Sequence, residues 1–333
     1  MSAITTVEAL EACIGAAGLP VKMKIIDHLD AQARRWIAES PLAFVGVATA
    51  GGPRVGLASG ARGFAGVTEG GALRLPRAAL EGVADVAEGR GAGVLFLVPG
   101  IGETLRANGR VARADDEAVE IAVEECFVHC AKALIRSDFW RGGAGPAGGE
   151  DGDPAAFVNG ARFLALATQD ADGRIDISPK GDPAGLLVRL EGERATLAER
   201  PGNRLAFGYR NILADPRVAA LAIAPGSTTV ATFEGRAGLT RDEALRSAFV
   251  VEGKSPLMAT VIDGVRPRLG EARALAGLWP APMEASAVDP AEVLMAHVKL
   301  NRARGVTATL VRLSANRGLI ASGLKANYKS DLY

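Results

Sequence analysis

One pattern occurs twice in this chain. Phe44-Val-Gly-Val-Ala-Thr49 returns as Phe163-Leu-Ala-Leu-Ala-Thr168, and Val98-Pro-Gly100, ahead of Gly109-Arg110, returns as Ala224-Pro-Gly226, ahead of Gly235-Arg236. Order and spacing are kept, so the chain is constrained to fold as two like units of about 120 residues, a fused pseudo-dimer. The segments that follow also agree, Asp115-Asp-Glu-Ala118 against Arg241-Asp-Glu-Ala244, and both are expected to open helices.

The copies differ in what they have lost. Their offset grows from 119 (163 − 44) at the first match to 126 (225 − 99) at the second, so copy two holds seven extra residues between them. Most lie around Arg200-Pro-Gly-Asn-Arg204, where copy one has Leu75-Pro-Arg-Ala-Ala-Leu80. Copy one ends in His129-Cys-Ala-Lys-Ala-Leu-Ile-Arg136, and an offset of 127 sets Ala259 opposite Lys132 and Asp263 opposite Arg136. Each unit therefore keeps what the other dropped.

Lys plus Arg equals Asp plus Glu at 38 each, which removes the excess basic charge of a nucleic-acid binder. The sequence has no signal-type opening and no apolar run near the ~18 residues of a membrane span, so a soluble cytoplasmic protein is expected. Three cysteines fit a reducing compartment. Cys126, His129 and Cys130 are close in sequence, but a further ligand is missing, so buried thiols are the expectation and no metal site is predicted.

Residues 5–40 read as helices, capped at Thr6 or Ser2, with Ile25, Leu29, Ala33 and Ile37 at helical spacing, and are expected to pack on the first barrel. From Phe44 onward, short runs of Val, Leu and Ala alternate with glycine-rich turns, the pattern of antiparallel strands. The fold class is α+β, mainly β: two tandem split β-barrels with flanking helices. The expected units are 1–140, a flexible linker 141–156, a second barrel 157–285 and a C-terminal helix and arm 286–333. Residues 290–304 read as a helix, with Val306–Leu313 and Gly318–Gly323 as a terminal hairpin.

Two stretches of copy two carry candidate chemistry. In Arg200-Pro-Gly-Asn-Arg204, Gly202 can adopt positive φ and Asn203 can cap a helix expected over 204–214, whose free amides would face an anion. Arg200 and Arg204 would add bidentate bonds to a phosphate, with Arg210 a weaker candidate; a capped surface helix is the alternative. Ser178-Pro-Lys-Gly-Asp-Pro183 is an irregular loop that either presents Ser178 and Lys180 to a flat polar ring or is a structural turn built on Asp182. Lys132 and Arg136 are either ligand groups or an exposed i, i+4 pair. Trp140 is either a stacking partner or a core aromatic. No glycine-rich segment opens a βαβ unit, and no Ser-His-Asp set can be assembled from His28, His129 and His297.

These residues resemble the FMN-binding split β-barrels related to pyridoxamine 5′-phosphate oxidase, over about 5–140 and 157–280. The resemblance rests on the Ser178 loop, on Arg200–Arg204 with Arg210-Asn-Ile-Leu213 and Asp215-Pro-Arg-Val218, and on His129–Ser137 with Trp140. Members are homodimers with a flavin between two barrels, so the resemblance implies one composite FMN site here. Copy two would hold the phosphate through Arg200, Asn203 and Arg204, with Ser178 and Lys180 near the ring or ribityl chain. Copy one would supply Lys132 and Arg136, with His129 and Trp140 less central. The implied function is an FMN-dependent oxidoreductase with a small-molecule substrate or electron donor; the alternative is a non-catalytic carrier of flavin, deazaflavin or haem. The fusion is compatible with a monomer or a homodimer.

Overall fold

The computed structural model describes residues 2–83, 85–143, 152–279, 286–330 and 332–333. Half of the linker expected over 141–156, residues 144–151, lies outside these residues, and its last part instead begins the helix Pro154–Gly160, capped by Asp153. The end of the predicted second unit, 280–285, also lies outside them.

Each copy forms one antiparallel sheet, and the strand order is the same in both. In copy one it runs Gly66–Val67, Leu73–Pro76, Ala118–His129, Thr104–Ala114, Gly91–Leu97, Leu42–Thr49, Gly52–Ser59. In copy two it runs Val188–Glu191, Arg194–Glu199, Met258–Asp263, Thr229–Thr240, Arg217–Ile223, Phe163–Gln169, Ile175–Gly181. The repeated sequence has thus produced a repeated topology, two tandem split barrels. The near-continuous apolar runs mark strands buried on both faces: in Phe163–Gln169 every residue is buried.

The faces that meet explain why the middle of these strands is apolar. Phe44 and Phe163, equivalent positions in the two copies, pack ring to ring with centroids 5.2 Å apart. Around them Leu57, Leu95, Ala165, Ile177 and Leu221 form a shared core between the barrels, separate from the core of each barrel. Glycine permits the closest approaches: a Cβ on Gly181 would lie 1.9 Å from the Ala133 carbonyl oxygen of the other copy.

Several expectations are corrected. The N-terminal segment divides its packing. Ala3–Ile4 adds a strand to Thr229–Thr240, and Leu10 on the helix Val7–Ile14, capped by Thr6, enters the core of the second barrel. The helix Ala31–Glu39 packs on the first through Ala33, Trp36 and Ile37. Asp115–Ala118 opens no helix: it is the tight turn between strands Thr104–Ala114 and Ala118–His129, with Asp115 Oδ1 accepting from the amides of Glu117 and Ala118. In copy two the equivalent point does start a helix, Glu243–Ser247. The predicted terminal hairpin is two helices, Val306–Ser314 and Arg317–Ser330, after Pro290–Leu300; the apolar residues there recur at helical rather than alternating spacing.

The ladder registers also change the alignment at the end of each barrel. Arg110 pairs with Ala122 and its counterpart Arg236 pairs with Asp263, so these partners are equivalent at an offset of 141 (263 − 122). Arg268–Glu271 continues the same strand after a break. Arg273 therefore stands opposite Lys132 and Gly277 opposite Arg136, not Ala259 and Asp263. Copy two has kept one of the two basic groups, and it is turned to solvent, beside Glu81.

Candidate functional site

Between the barrels lies a cavity of about 490 Å³, within the range of small-molecule sites. One wall is copy two: Ser178–Gly181 at the end of a strand and the connection 198–209. The other is copy one: Arg106 on a strand, then His129, Lys132 and Arg136. Eight of the sequence-predicted residues line it together: Lys132, His129, Arg136, Ser178, Lys180, Arg200, Asn203 and Arg204. Two do not. Arg210 pairs with Glu11 on the first helix. Trp140 packs edge-on against Phe139 and donates its indole N–H to the Ile101 carbonyl at 2.7 Å, so it is a core aromatic.

The arginine segment is built differently from the capped helix expected of it. The helix starts only at Phe207, with Ala206 at its N-cap and no side-chain cap. The left-handed residues are Arg204, at φ 61°, and Ala206, at φ 59°, rather than Gly202. Asn203 Oδ1 accepts from the Leu205 amide at 3.0 Å, stabilising this extra turn before the helix. The connection therefore presents the side chains of Arg200–Arg204 to the cavity together with the first turn of the helix, Ala206–Tyr209.

Arg200 is the most constrained of them. Its Nε donates to Asp182 Oδ2 at 2.8 Å, and both side chains are nearly sealed. Burial pushes the Asp182 carboxyl up and Arg200 opposes that shift. Nη1 and Nη2 of Arg200 are buried without a hydrogen-bond partner. Buried donors are almost always satisfied, so these two nitrogens leave an unmet demand for an acceptor at the cavity. Arg136 approaches the same place, its Nη2 donating to the Pro201 carbonyl at 3.1 Å. Burial, reinforced by the like charge of Arg200, lowers the Arg136 pKa from its usual value.

Lys180 is engaged within the wall. Its Nζ donates to Glu199 Oε2 at 2.5 Å and to the Tyr209 hydroxyl at 3.1 Å. Tyr209 and Thr260 both donate to Glu199 as well, at 2.6 Å each. Ser178 Oγ donates to Asp176 Oδ2 at 2.7 Å.

Sequence reasoning missed Arg106, Asp176 and Glu199. Arg106, from copy one, forms an ion pair with Asp176 of copy two and lies over the Phe127 ring. Its Nε and Nη2 are buried and unpartnered, a second set of donors at the cavity. A signal was present: an arginine in the first half of a strand, where the second copy has the uncharged Thr232. His129 is held well below its usual range by burial, then by the Arg106 and Lys24 cations, and is neutral. Cys126 is buried in the first core, and among the described residues no group of three metal-ligating side chains converges. Likewise no described helix is long and apolar enough to cross a membrane.

At the pseudo-equivalent interface a second cavity of about 490 Å³ is lined by Arg54, Gly56 and Leu57 of copy one and by Thr232, Gly270 and Glu271 of copy two, positions that the ladder registers align with Ser178, Lys180, Gly181, Arg106, His129 and Cys130. The strand Leu80–Glu81 pairs with Leu57–Ala58 at the rim of that cavity, and a Cβ on Gly56 would lie 2.1 Å from the Glu81 carbonyl oxygen. Among the described residues copy two adds no strand along its corresponding edge.

The fold and this cavity define a split-barrel protein with a cleft between its barrels. Residues 154–293, most of the second barrel, match the family model for pyridoxamine 5′-phosphate oxidase. Among solved structures, HupZ of Group A Streptococcus is similar, with 20% identity, 35% of this chain, 90% of the other and a TM-score of 0.28. A putative pyridoxamine 5′-phosphate oxidase of Lactobacillus delbrueckii gives 20%, 32%, 82% and 0.25. HutZ, the haem storage protein of Vibrio cholerae, gives 15%, 33%, 86% and 0.23. Each of the three spans about a third of this chain. None of the curated proteins compared matches it.

Proposed function

We propose that the cleft binds one flavin mononucleotide per chain and that the protein is a flavin-dependent oxidoreductase. The observation that carries this reading is the pair of buried, unpartnered Nη atoms on Arg200, beside a second, half-buried arginine, Arg136, with the Asp182 carboxylate near both. A group with close to two negative charges would satisfy both guanidiniums through charge-assisted bonds. Arg200, Arg204 and Arg136 would hold the phosphate, with Asn203 and Lys132 flanking it. Arg106 and Ser178, at the Asp176 end of the cavity, would face the polar edge of the ring or the ribityl chain. Lys180 acts through Glu199, fixing the wall. Bound flavin would supply hydride or electron transfer, and the protein's part is orientation and charge near the ring.

A second reading, a carrier holding flavin, deazaflavin or haem without turnover, draws on the neutral imidazole of His129 at the cavity, which is suited to a metal-bearing ring. The discriminating experiment begins with the absorption spectrum and stoichiometry of the purified protein, expected to be yellow with about one flavin per chain. Reduction by a nicotinamide donor and reoxidation by an added acceptor separates enzyme from carrier. Arg200→Ala with Arg204→Ala should abolish flavin retention, and unchanged retention contradicts the site.

A further inference from the structure

The C-terminal arm ends on the two arginines assigned above to the phosphate. Arg136 Nε donates to the Leu332 carbonyl at 2.6 Å. The Tyr333 ring centre lies 5.6 Å from the guanidinium carbon of Arg136 and 5.4 Å from that of Arg200, so one ring faces both cations. Upstream, the Tyr328 hydroxyl donates to Glu103 Oε1 at 2.7 Å and accepts from the Ala131 amide at 3.2 Å. This anchors the end of the last helix to copy one.

We propose that Leu332 and Tyr333 are an internal occupant of the anion end of the cleft, displaced when a phosphate-bearing ligand enters; the proposal rests on the flavin reading above. The arm makes contacts that only approximate those of an anion. A neutral carbonyl takes one donor of Arg136, and a ring faces the guanidiniums with its π-cloud. Neither contact gives Arg200 an acceptor: its Nη atoms stay sealed and unpartnered while the arm is docked. A phosphate supplies several charged acceptors at this point and so outcompetes the arm. The Tyr328 anchor lies away from the arginines, so only the residues beyond it have to move. Ligand and arm then draw on one set of groups, and the apparent affinity of the cleft falls by the fraction of molecules with the arm released.

The test compares the full chain, a chain lacking residues 329–333, which keeps the Tyr328 anchor, and Tyr333→Ala. Each is titrated with inorganic phosphate and with flavin mononucleotide. Removing the arm is expected to tighten both ligands by roughly tenfold, with Tyr333→Ala showing part of the gain. In the full chain, saturating phosphate should speed hydrogen exchange in the 328–333 peptide. Unchanged or weaker binding by the shortened chain, slower exchange in the peptide, or phosphate that binds neither form overturns the proposal. Flavin bound equally by all three leaves the flavin reading standing and removes only the arm's role. Flavin bound by none removes the flavin reading, and the phosphate titration still decides the arm.

Discussion

Arg106, on a strand of the first copy, and Asp176, on a strand of the second, form an ion pair across the barrel interface with side chains each 3% exposed. The ladder registers align these positions with Thr232 and Gly52 at the pseudo-equivalent interface, so that junction is built without this buried pair. Buried pairs of this kind are costly to break and often neutral to replace.

Asp176→Asn alone should therefore destabilise the protein by about 3–5 kcal/mol, because it strands the Arg106 cation. Asp176→Leu combined with Arg106→Thr should restore much of that loss. Urea midpoints of the two variants check this. The double variant should still lose flavin, since Arg106 is then missing from the cleft.

Gly181→Ala places a methyl against the Ala133 carbonyl and should cost about 1–3 kcal/mol by forcing the barrels apart at the cleft. The thermal midpoint reads the loss. Gly238→Ala, on another strand of the same barrel, controls for the loss of a strand glycine, because its Cβ meets open space and its φ, like that of Gly181, is not positive.

Lys180→Met should leave the buried Glu199 carboxylate without its cation and lower stability by about 3 kcal/mol. Adding Glu199→Gln should recover part of it. Flavin retention should fall less in this double variant than in Arg200→Ala, which would separate wall residues from ligand residues.

Lys24 is buried near Phe127, and burial lowers its pKa to about 8, with the neighbouring Arg106 cation adding to the shift. A base whose folded pKa lies below its unfolded value destabilises the fold at low pH, where both states carry the proton. Stability from this group then rises between about pH 8 and 10.5 as the folded state deprotonates first. Lys24→Met should therefore stabilise the protein at pH 7 by on the order of 2 kcal/mol. The advantage should shrink as pH is raised through that window, read as chemical-denaturation midpoints at successive pH values.

The repeated motifs made the two barrels legible in the sequence, because each strand's apolar run is dictated by burial on both faces. Most cavity residues were legible too, since Ser178–Pro183, read as a loop and in fact mostly the end of a strand, and Arg200–Arg204 carry a lysine, an aspartate and an arginine pair that copy one does not repeat. What was not legible depended on partners far apart in the chain. Nothing near Arg106 in sequence signals Asp176, and nothing near Lys180 signals Glu199. The alignment of Lys132 with Ala259 failed because copy two interrupts its last strand between Asp263 and Arg268, and a constant offset cannot see a break. The tail was misread as a hairpin because Val306, Leu310 and Leu313 suit a strand by composition but sit on one face of a helix by spacing.

The strand Leu80–Glu81 occupies an edge whose counterpart stays open. In a symmetric pair of separate chains, any such insertion would alter both clefts at once. Joining the barrels in one polypeptide lets a mutation act on one side only, so selection could reshape one cleft while leaving the other as it was.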